Sequence, residues 1–141
     1  MTVNKLNVGM EKEFTDGLRE IVLQAAEHYG IDHVNVIFKN RQRSSHAPTG
    51  MGSLVTLGYQ DLEDAAANGY EEYPSLRHLL PDQTQIGMDA ARWIGLHEAA
   101  HVVANSRNKD YIRPHGREFR QVYTELISLF AQTHKDSQSE T

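Results

Sequence analysis

The sequence predicts an α+β fold, with a small β-sheet packed on one central helix and further helices at the N- and C-terminal sides. Three segments, 11–29, 89–106 and 116–133, space their apolar residues three and four positions apart, as amphipathic or buried helices do. Two shorter segments, 33–39 and 52–60, alternate with a period of two residues, as strands do, and the first contains the β-branched residues Val34, Val36 and Ile37.

The first half of the chain supplies the N-terminal helix and both strands. Helix 11–29 is followed by Gly30, which suits a left-handed cap at a helix end. The polar, basic segment 40–50 contains a proline and is predicted to be a loop, across which the two strands could pair. Segment 61–68 is acidic and is predicted to form a short helix.

The middle of the chain leads into the most regular helix. Pro74 could begin a helical turn within 71–80, and segment 83–88 is predicted to be a short third strand. Helix 89–106 follows, with Asp89 as its expected N-cap. A basic loop over 107–114 then connects it to the last helix.

Length and composition limit the classes of protein to which the chain can belong. The 141 residues fit one domain, which we place at 1–134, followed by a flexible C-terminal tail at 135–141. The absence of cysteine excludes disulfides, a cysteine nucleophile and any zinc finger built on cysteine. No signal peptide or membrane span is apparent in the sequence, so a cytoplasmic protein is expected.

The strongest chemical signal is an HExxH motif formed by His97, Glu98 and His101. On a helix, two histidines four residues apart lie on one face, at a separation that one Zn²⁺ can bridge. Glu98 is rotated by about 100° from His97. It can therefore act as a base on a water at the metal without being a ligand. The surrounding residues are apolar nearly all round the helix, and a buried helix would not carry these polar groups without a partner.

A catalytic zinc usually has three protein ligands, so the motif needs one more. His115, Glu118 and Glu125 are the candidates from the residues alone. We favour His115 because it stands at the start of the last helix and is followed by a glycine, which lets the backbone approach closely. Glu125 remains a possible substitute for it.

The residues HEAAHVV, a spacing of thirteen residues from His101 to His115, and then HGREFRQVYTEL resemble the SprT-like zinc metallopeptidase family over about 97–126. The resemblance implies a zincin-like fold with one zinc held by His97, His101 and His115, and Glu98 as the catalytic base. It implies hydrolysis of peptide bonds, including those of DNA-associated proteins. Many members also carry a four-cysteine zinc ribbon, which this sequence lacks.

Partner expectations depend on an uneven charge distribution. The chain has a formal net charge of −5, yet Arg107, Lys109, Arg113 and Arg117 cluster near the proposed metal and could make weak nucleic-acid contacts. A solvated loop is the simpler interpretation of that cluster. An alternative function is a metal-bound regulatory or binding module with little peptidase activity.

The other histidines and one tyrosine carry weaker expectations. Five of the eight histidines lie outside the proposed ligand set and are predicted to be surface or structural residues, although His46 could overhang a cleft. Tyr123 could donate to a developing oxyanion, but core packing is the simpler prediction.

Overall fold

A computed structural model of the chain describes residues 4–48, 52–80, 85–107 and 113–140. The predicted α+β class is confirmed, with four α-helices, one 3-10 helix and a three-stranded mixed sheet in those ranges. The elements in chain order are α1 (Asn4–His28), β1 (Val34–Lys39), β2 (Ser45–Pro48), β3 (Ser53–Gly58), α2 (Tyr59–Asn68), the 3-10 helix (Pro74–Leu79), α3 (Met88–Ser106) and α4 (Arg117–Glu140). None of the helices, over the residues described, combines the length and the apolarity needed to cross a bilayer.

Helix α3 lies at the centre of the molecule. Its residues 90–104 are all buried, because α1, α2 and α4 pack around it together with the sheet. This environment explains why apolar side chains cover nearly the whole helix, with Trp93 and Leu96 among the largest that are fully buried. The polar groups of its HExxH motif are therefore held within the protein interior.

The sheet has the strand order β1-β3-β2. Strands β1 and β3 pair in parallel, with Val36 opposite Val55, so the two predicted strands pair but do not form a hairpin. Strand β2 lies antiparallel to β3 at the other edge, with His46 opposite Val55. The chain must cross over β3 between β1 and β2, which brings β2 to the edge of the sheet that contacts α3.

The location of the third strand was predicted wrongly. Residues 85–87 do not form a strand and Met88 begins α3, while 83 and 84 lie outside the described residues. The third strand is β2, inside the predicted loop 40–50. Its sequence, Ser-His-Ala-Pro, lacks an apolar alternation, and proline is tolerated there because this is an edge strand.

Several helix boundaries differ from the predictions. Helix α1 begins seven residues before position 11, although the predicted cap at Gly30 is confirmed by a φ of 80°. Gly87, not Asp89, precedes the first residue of α3, so Asp89 lies in the first turn of that helix, 4.0 Å from Arg92. Helix α4 continues to Glu140, so the backbone of the predicted tail is helical over 135–140.

Replacing Gly52 with alanine is expected to lower the free energy of unfolding by about 3 kcal/mol or more. An added Cβ would lie 1.9 Å from the carbonyl oxygen of His33. That oxygen accepts a hydrogen bond from the Ser53 amide, so it cannot move without disturbing the start of the β1–β3 pairing. Chemical denaturation measures the change.

Gly30→Ala is the matched control, because an added Cβ there meets no atom within 4 Å. Because Gly30 has a φ of 80°, Gly30→Ala is expected to lower the free energy of unfolding by only about 1–2 kcal/mol. A Gly52→Ala variant as stable as Gly30→Ala would contradict the packing described here.

Candidate metal centre

Three histidines bring their side-chain nitrogens to one point. Helix α3 presents His97 and His101 on one face, and the turn before α4 presents His115 opposite them. The Nε2 atom of His115 lies 3.2 Å from Nε2 of His97 and 3.2 Å from Nε2 of His101. One ligand atom from each of the three residues lies within 4.8 Å of the others, so together they can hold a metal ion.

The spacing and the protonation of these rings both fit a metal. A tetrahedral ion with bonds of about 2.0–2.1 Å keeps its ligand atoms about 3.3 Å apart. Burial lowers the pKa of His101 to about 2, and the neighbouring His97, His46 and His115 add to the shift. Burial also lowers the pKa of His115. Neutral imidazoles with their lone pairs available are the form that binds a metal.

Local backbone contacts fix the position of His115. An added Cβ on Gly116 would lie 3.0 Å from Cβ of Arg113, and the Gly116 amide donates to the Arg113 carbonyl. The Arg120 side chain reaches back from α4, and its Nε donates to the carbonyl oxygen of His115 at 3.1 Å. Gly116 therefore permits the tight turn that carries the third histidine, as its sequence position predicts.

Two aromatic rings enclose the histidines. Phe119 is fully buried, and its ring centroid lies 4.3–5.0 Å from those of all three histidines. The ring centroid of Tyr73 lies 4.7 Å from that of His115, but Tyr73 is 54% exposed. Phe119 thus limits rotation of the histidine rings from the interior, while Tyr73 borders the site where solvent can reach it.

Glu72 supports the site from behind His97. Its carboxylate is almost completely buried, and its Oε2 atom lies 3.4 Å from Nδ1 of His97. The same oxygen accepts hydrogen bonds from the Tyr123 hydroxyl at 2.6 Å and from the Tyr70 hydroxyl at 3.0 Å. The backbone amide of Tyr73 donates to Oε1 at 2.8 Å. A carboxylate at Nδ1 fixes the ring tautomer that leaves Nε2 free for a metal.

The surroundings of Glu72 favour its charged form. Burial by itself raises its pKa, but the hydrogen bond and charge of His97 outweigh this, helped by Tyr123 and Tyr73, and the pKa is lowered. Burial raises the pKa of Tyr123 and of Tyr70 well above the usual value, and the adjacent carboxylate adds to both shifts. Both hydroxyls therefore stay protonated and donate. Tyr123 is a buried partner of Glu72, which confirms its expected packing role.

Replacing Glu72 with glutamine is expected to weaken metal binding by about 10–100-fold. The substitution keeps the size of the side chain but removes the negative charge behind His97. A competition titration of the metal against a chelator measures the change. Tyr123→Phe is the matched control, because it removes one donor and keeps the carboxylate, so a smaller loss is expected. Unchanged metal affinity in Glu72→Gln would show that this carboxylate does not support the site.

Glu98 follows His97 on α3, and its side chain is only 10% exposed. Its Oε1 atom is 2.8 Å from Nδ1 of His46, which projects from β2. The His46 ring is stacked on the His101 ring, with centroids 4.3 Å apart and planes 12° apart. His46 is therefore part of the site, whereas the sequence favoured a surface or structural role.

The two other candidate ligands lie elsewhere. Glu125 accepts a hydrogen bond from the hydroxyl of Tyr29, on α1's side of the molecule. Glu118 borders a separate small cavity together with Arg107. Among the described residues, the only group of three or more histidines, aspartates or glutamates placed to hold a metal is His97, His101 and His115.

The described basic residues that were predicted to contact nucleic acid have different surroundings. Arg113 and Arg117 are exposed and border an open groove of about 1210 Å³ that His115 also lines. The Arg107 guanidinium instead lies over the Tyr29 ring, 5.5 Å from its centroid. Lys109 lies outside the described residues.

Sequence reasoning missed Glu72 and Tyr73 and gave His46 too little weight. Glu72 has no metal-ligand spacing to the motif, and it reaches His97 only because the segment before the 3-10 helix packs on α3 and α4. His46 reaches Glu98 through a strand crossing that local patterns do not encode. The high histidine content was the only available signal for it.

Comparisons with known proteins do not extend these observations: searches of protein-family models, curated proteins and solved structures found no match to the chain.

Proposed function

We propose that the protein is a zinc metallopeptidase of the SprT-like, HExxH type. The observation that carries the proposal is the convergence of three Nε2 atoms, with both contacts to His115 at 3.2 Å, next to the buried carboxylate of Glu98. Three imidazoles without a thiolate or carboxylate in the set suit Zn²⁺ and leave a fourth position open. The HGREF sequence after the motif supports the same family.

Zn²⁺ held by the three histidines would polarise the scissile carbonyl and acidify the attacking water. The Glu98 carboxylate contacts His46, whose ring is stacked on His101, so it lies near the metal position without joining the ligand set. It accepts a proton as the water oxygen bonds to the carbonyl carbon. It then delivers that proton to the amide nitrogen as the carbon–nitrogen bond breaks. The second proton of the water passes from the new carboxylic acid to the amine, so the products are a carboxylate and an ammonium group, and Glu98 is regenerated as a carboxylate.

The substrate side of the site is proposed from the groove beside His115. A polypeptide crossing the metal position would pass Tyr73, whose ring is exposed, and enter the groove bordered by Arg113 and Arg117. Two unburied guanidinium groups favour substrates with negative charge, or nucleic acid held next to the substrate. The proposed contact with DNA-associated material rests on these two arginines.

An untargeted cleavage assay tests the function. The zinc-loaded protein is incubated with a proteome-derived mixture of proteins, and new N-termini are identified by mass spectrometry. We expect cleavage that disappears with a chelator and returns with zinc. Selective binding of proteins without any new N-terminus would instead support the metal-bound binding module.

The same assay, repeated with single-stranded DNA, tests the nucleic-acid contact. Stimulation that is lost in an Arg113→Ala, Arg117→Ala double variant supports it. Equal cleavage with and without DNA, in both the double variant and the unmodified protein, rules it out.

A further inference from the structure

His46 contacts the proposed general base directly. Its Nδ1 atom is 2.8 Å from Oε1 of Glu98. A general base acts as an ionised carboxylate, which can only accept hydrogen bonds, so in that role of Glu98 the His46 ring donates from Nδ1. Among the described residues, Oε2 of Glu98 has no such partner, which leaves that oxygen available to exchange protons with a substrate or water.

The strand that carries His46 is held in place on both sides. The Ser44 hydroxyl donates to Asp61 at 2.9 Å and accepts from the amide of Gly58 at 3.0 Å. Strand β2 pairs with β3 from Ser45 to Pro48, and Arg41 donates to the side chain of Ser45. These contacts connect β2 to the rest of the fold independently of Glu98, so the position of His46 does not depend on the hydrogen bond it makes.

Ring stacking sets the orientation of His46. Its ring is nearly parallel to that of His101, with planes 12° apart and centroids 4.3 Å apart, and its side chain is 25% exposed. In this geometry the edge carrying Nδ1 is directed at Glu98. His46 is not part of the converging set of nitrogens at the metal position, so a role as fourth ligand is not supported.

We propose that His46 is a positioning residue for Glu98, an inference that deepens the proposed peptidase function and rests on it. The Nδ1–H bond holds Oε1 on the β2 side, so that Oε2 faces the position of the attacking water and the leaving nitrogen. Without that bond, the carboxylate can rotate about its terminal torsion, which is broad and has no strong preference of its own. The effect falls on the rate of the chemical step and leaves metal binding and substrate binding unchanged.

Two substitutions at position 46 test this assignment by activity. His46→Ala is expected to lower kcat on the order of 10–100-fold with KM and zinc content unchanged. His46→Asn should restore most of that loss, because the amide nitrogen of asparagine can donate from close to the position of Nδ1. His28→Ala, an exposed histidine at the end of α1, is the control and should match the unmodified protein. A loss of zinc in His46→Ala, or equal activity in the alanine variant and the unmodified protein, would overturn the proposal.

A second measurement separates this proposal from the peptidase assignment. Long-range ¹H–¹⁵N NMR spectra of the zinc-loaded protein report which ring nitrogen of His46 carries a proton. We expect a proton on Nδ1 in the unmodified protein and its transfer to Nε2 in Glu98→Ala, which lacks the acceptor. If this holds but no hydrolysis is detected, the peptidase assignment fails while the contact between His46 and Glu98 stands. A proton on Nε2 alone in the unmodified protein would overturn the positioning role.

Discussion

Glu98→Gln is expected to lower peptide hydrolysis by about 10²–10⁴-fold while the protein keeps its zinc. The glutamine is almost the same size and can still accept from His46 through its amide oxygen, so the 2.8 Å contact survives. It cannot accept a proton from the attacking water, because an amide is not a base at neutral pH. The three histidine nitrogens are unaffected, and the metal content should remain about one zinc per chain.

Steady-state kinetics and metal analysis on the same preparation check this result. Glu118→Gln is the matched control, since it is the same substitution at a carboxylate that borders a separate small cavity. It should keep both zinc and activity. Activity retained in Glu98→Gln would remove this residue from the role of base. Loss of zinc in Glu125→Gln would instead identify Glu125 as the third ligand, the alternative to His115 that the sequence left open.

His101→Ala is expected to reduce bound zinc to a small fraction of a zinc per chain at micromolar metal. Four-ligand zinc sites bind with about 10–16 kcal/mol, so each ligand supplies on the order of 3 kcal/mol, or more than 100-fold in affinity. His101 is only 6% exposed, and its ring contacts those of His46, His97, His115 and Phe119. Hydrolysis should fall with the zinc content.

His97→Ala and His115→Ala should give the same loss, because each removes one of the three converging nitrogens. Metal analysis after dialysis against limiting zinc measures it, and circular dichroism shows whether each variant remains folded. His28→Ala serves as the control for removal of a histidine as such. Full zinc content in a folded His101→Ala variant would contradict the assigned ligand set.

The motif and its helix were predictable because both are local. Apolar residues at helical spacing define α3, and the four-residue separation of His97 and His101 places them on one face of it. The buried helix also accounts for the low pKa of His101, since the same apolar neighbours that reveal the helix exclude water from the ring. His115 could be predicted for a similar reason, because the glycine after it and the helix that follows are visible in the sequence.

The supporting residues were not predictable because long-range packing places them. Glu72 is 25 positions from His97 and His46 is 52 from Glu98, and no periodic pattern links either pair. Strand β2 carries no apolar alternation, since an edge strand is determined by its partner β3 more than by its own residues. The crossover between β1 and β2 therefore could not be inferred, and the position of His46 depends on it.

X-ray absorption at the zinc edge of the loaded protein measures directly whether three histidines hold the zinc. We expect one zinc per chain, with three imidazole nitrogens at about 2.0–2.1 Å and one oxygen ligand that is not part of an imidazole. We also expect the imidazole signal to drop to two rings in whatever zinc His115→Ala retains. A site with two imidazoles and a carboxylate in the unmodified protein, or no stoichiometric zinc, would contradict this ligand set.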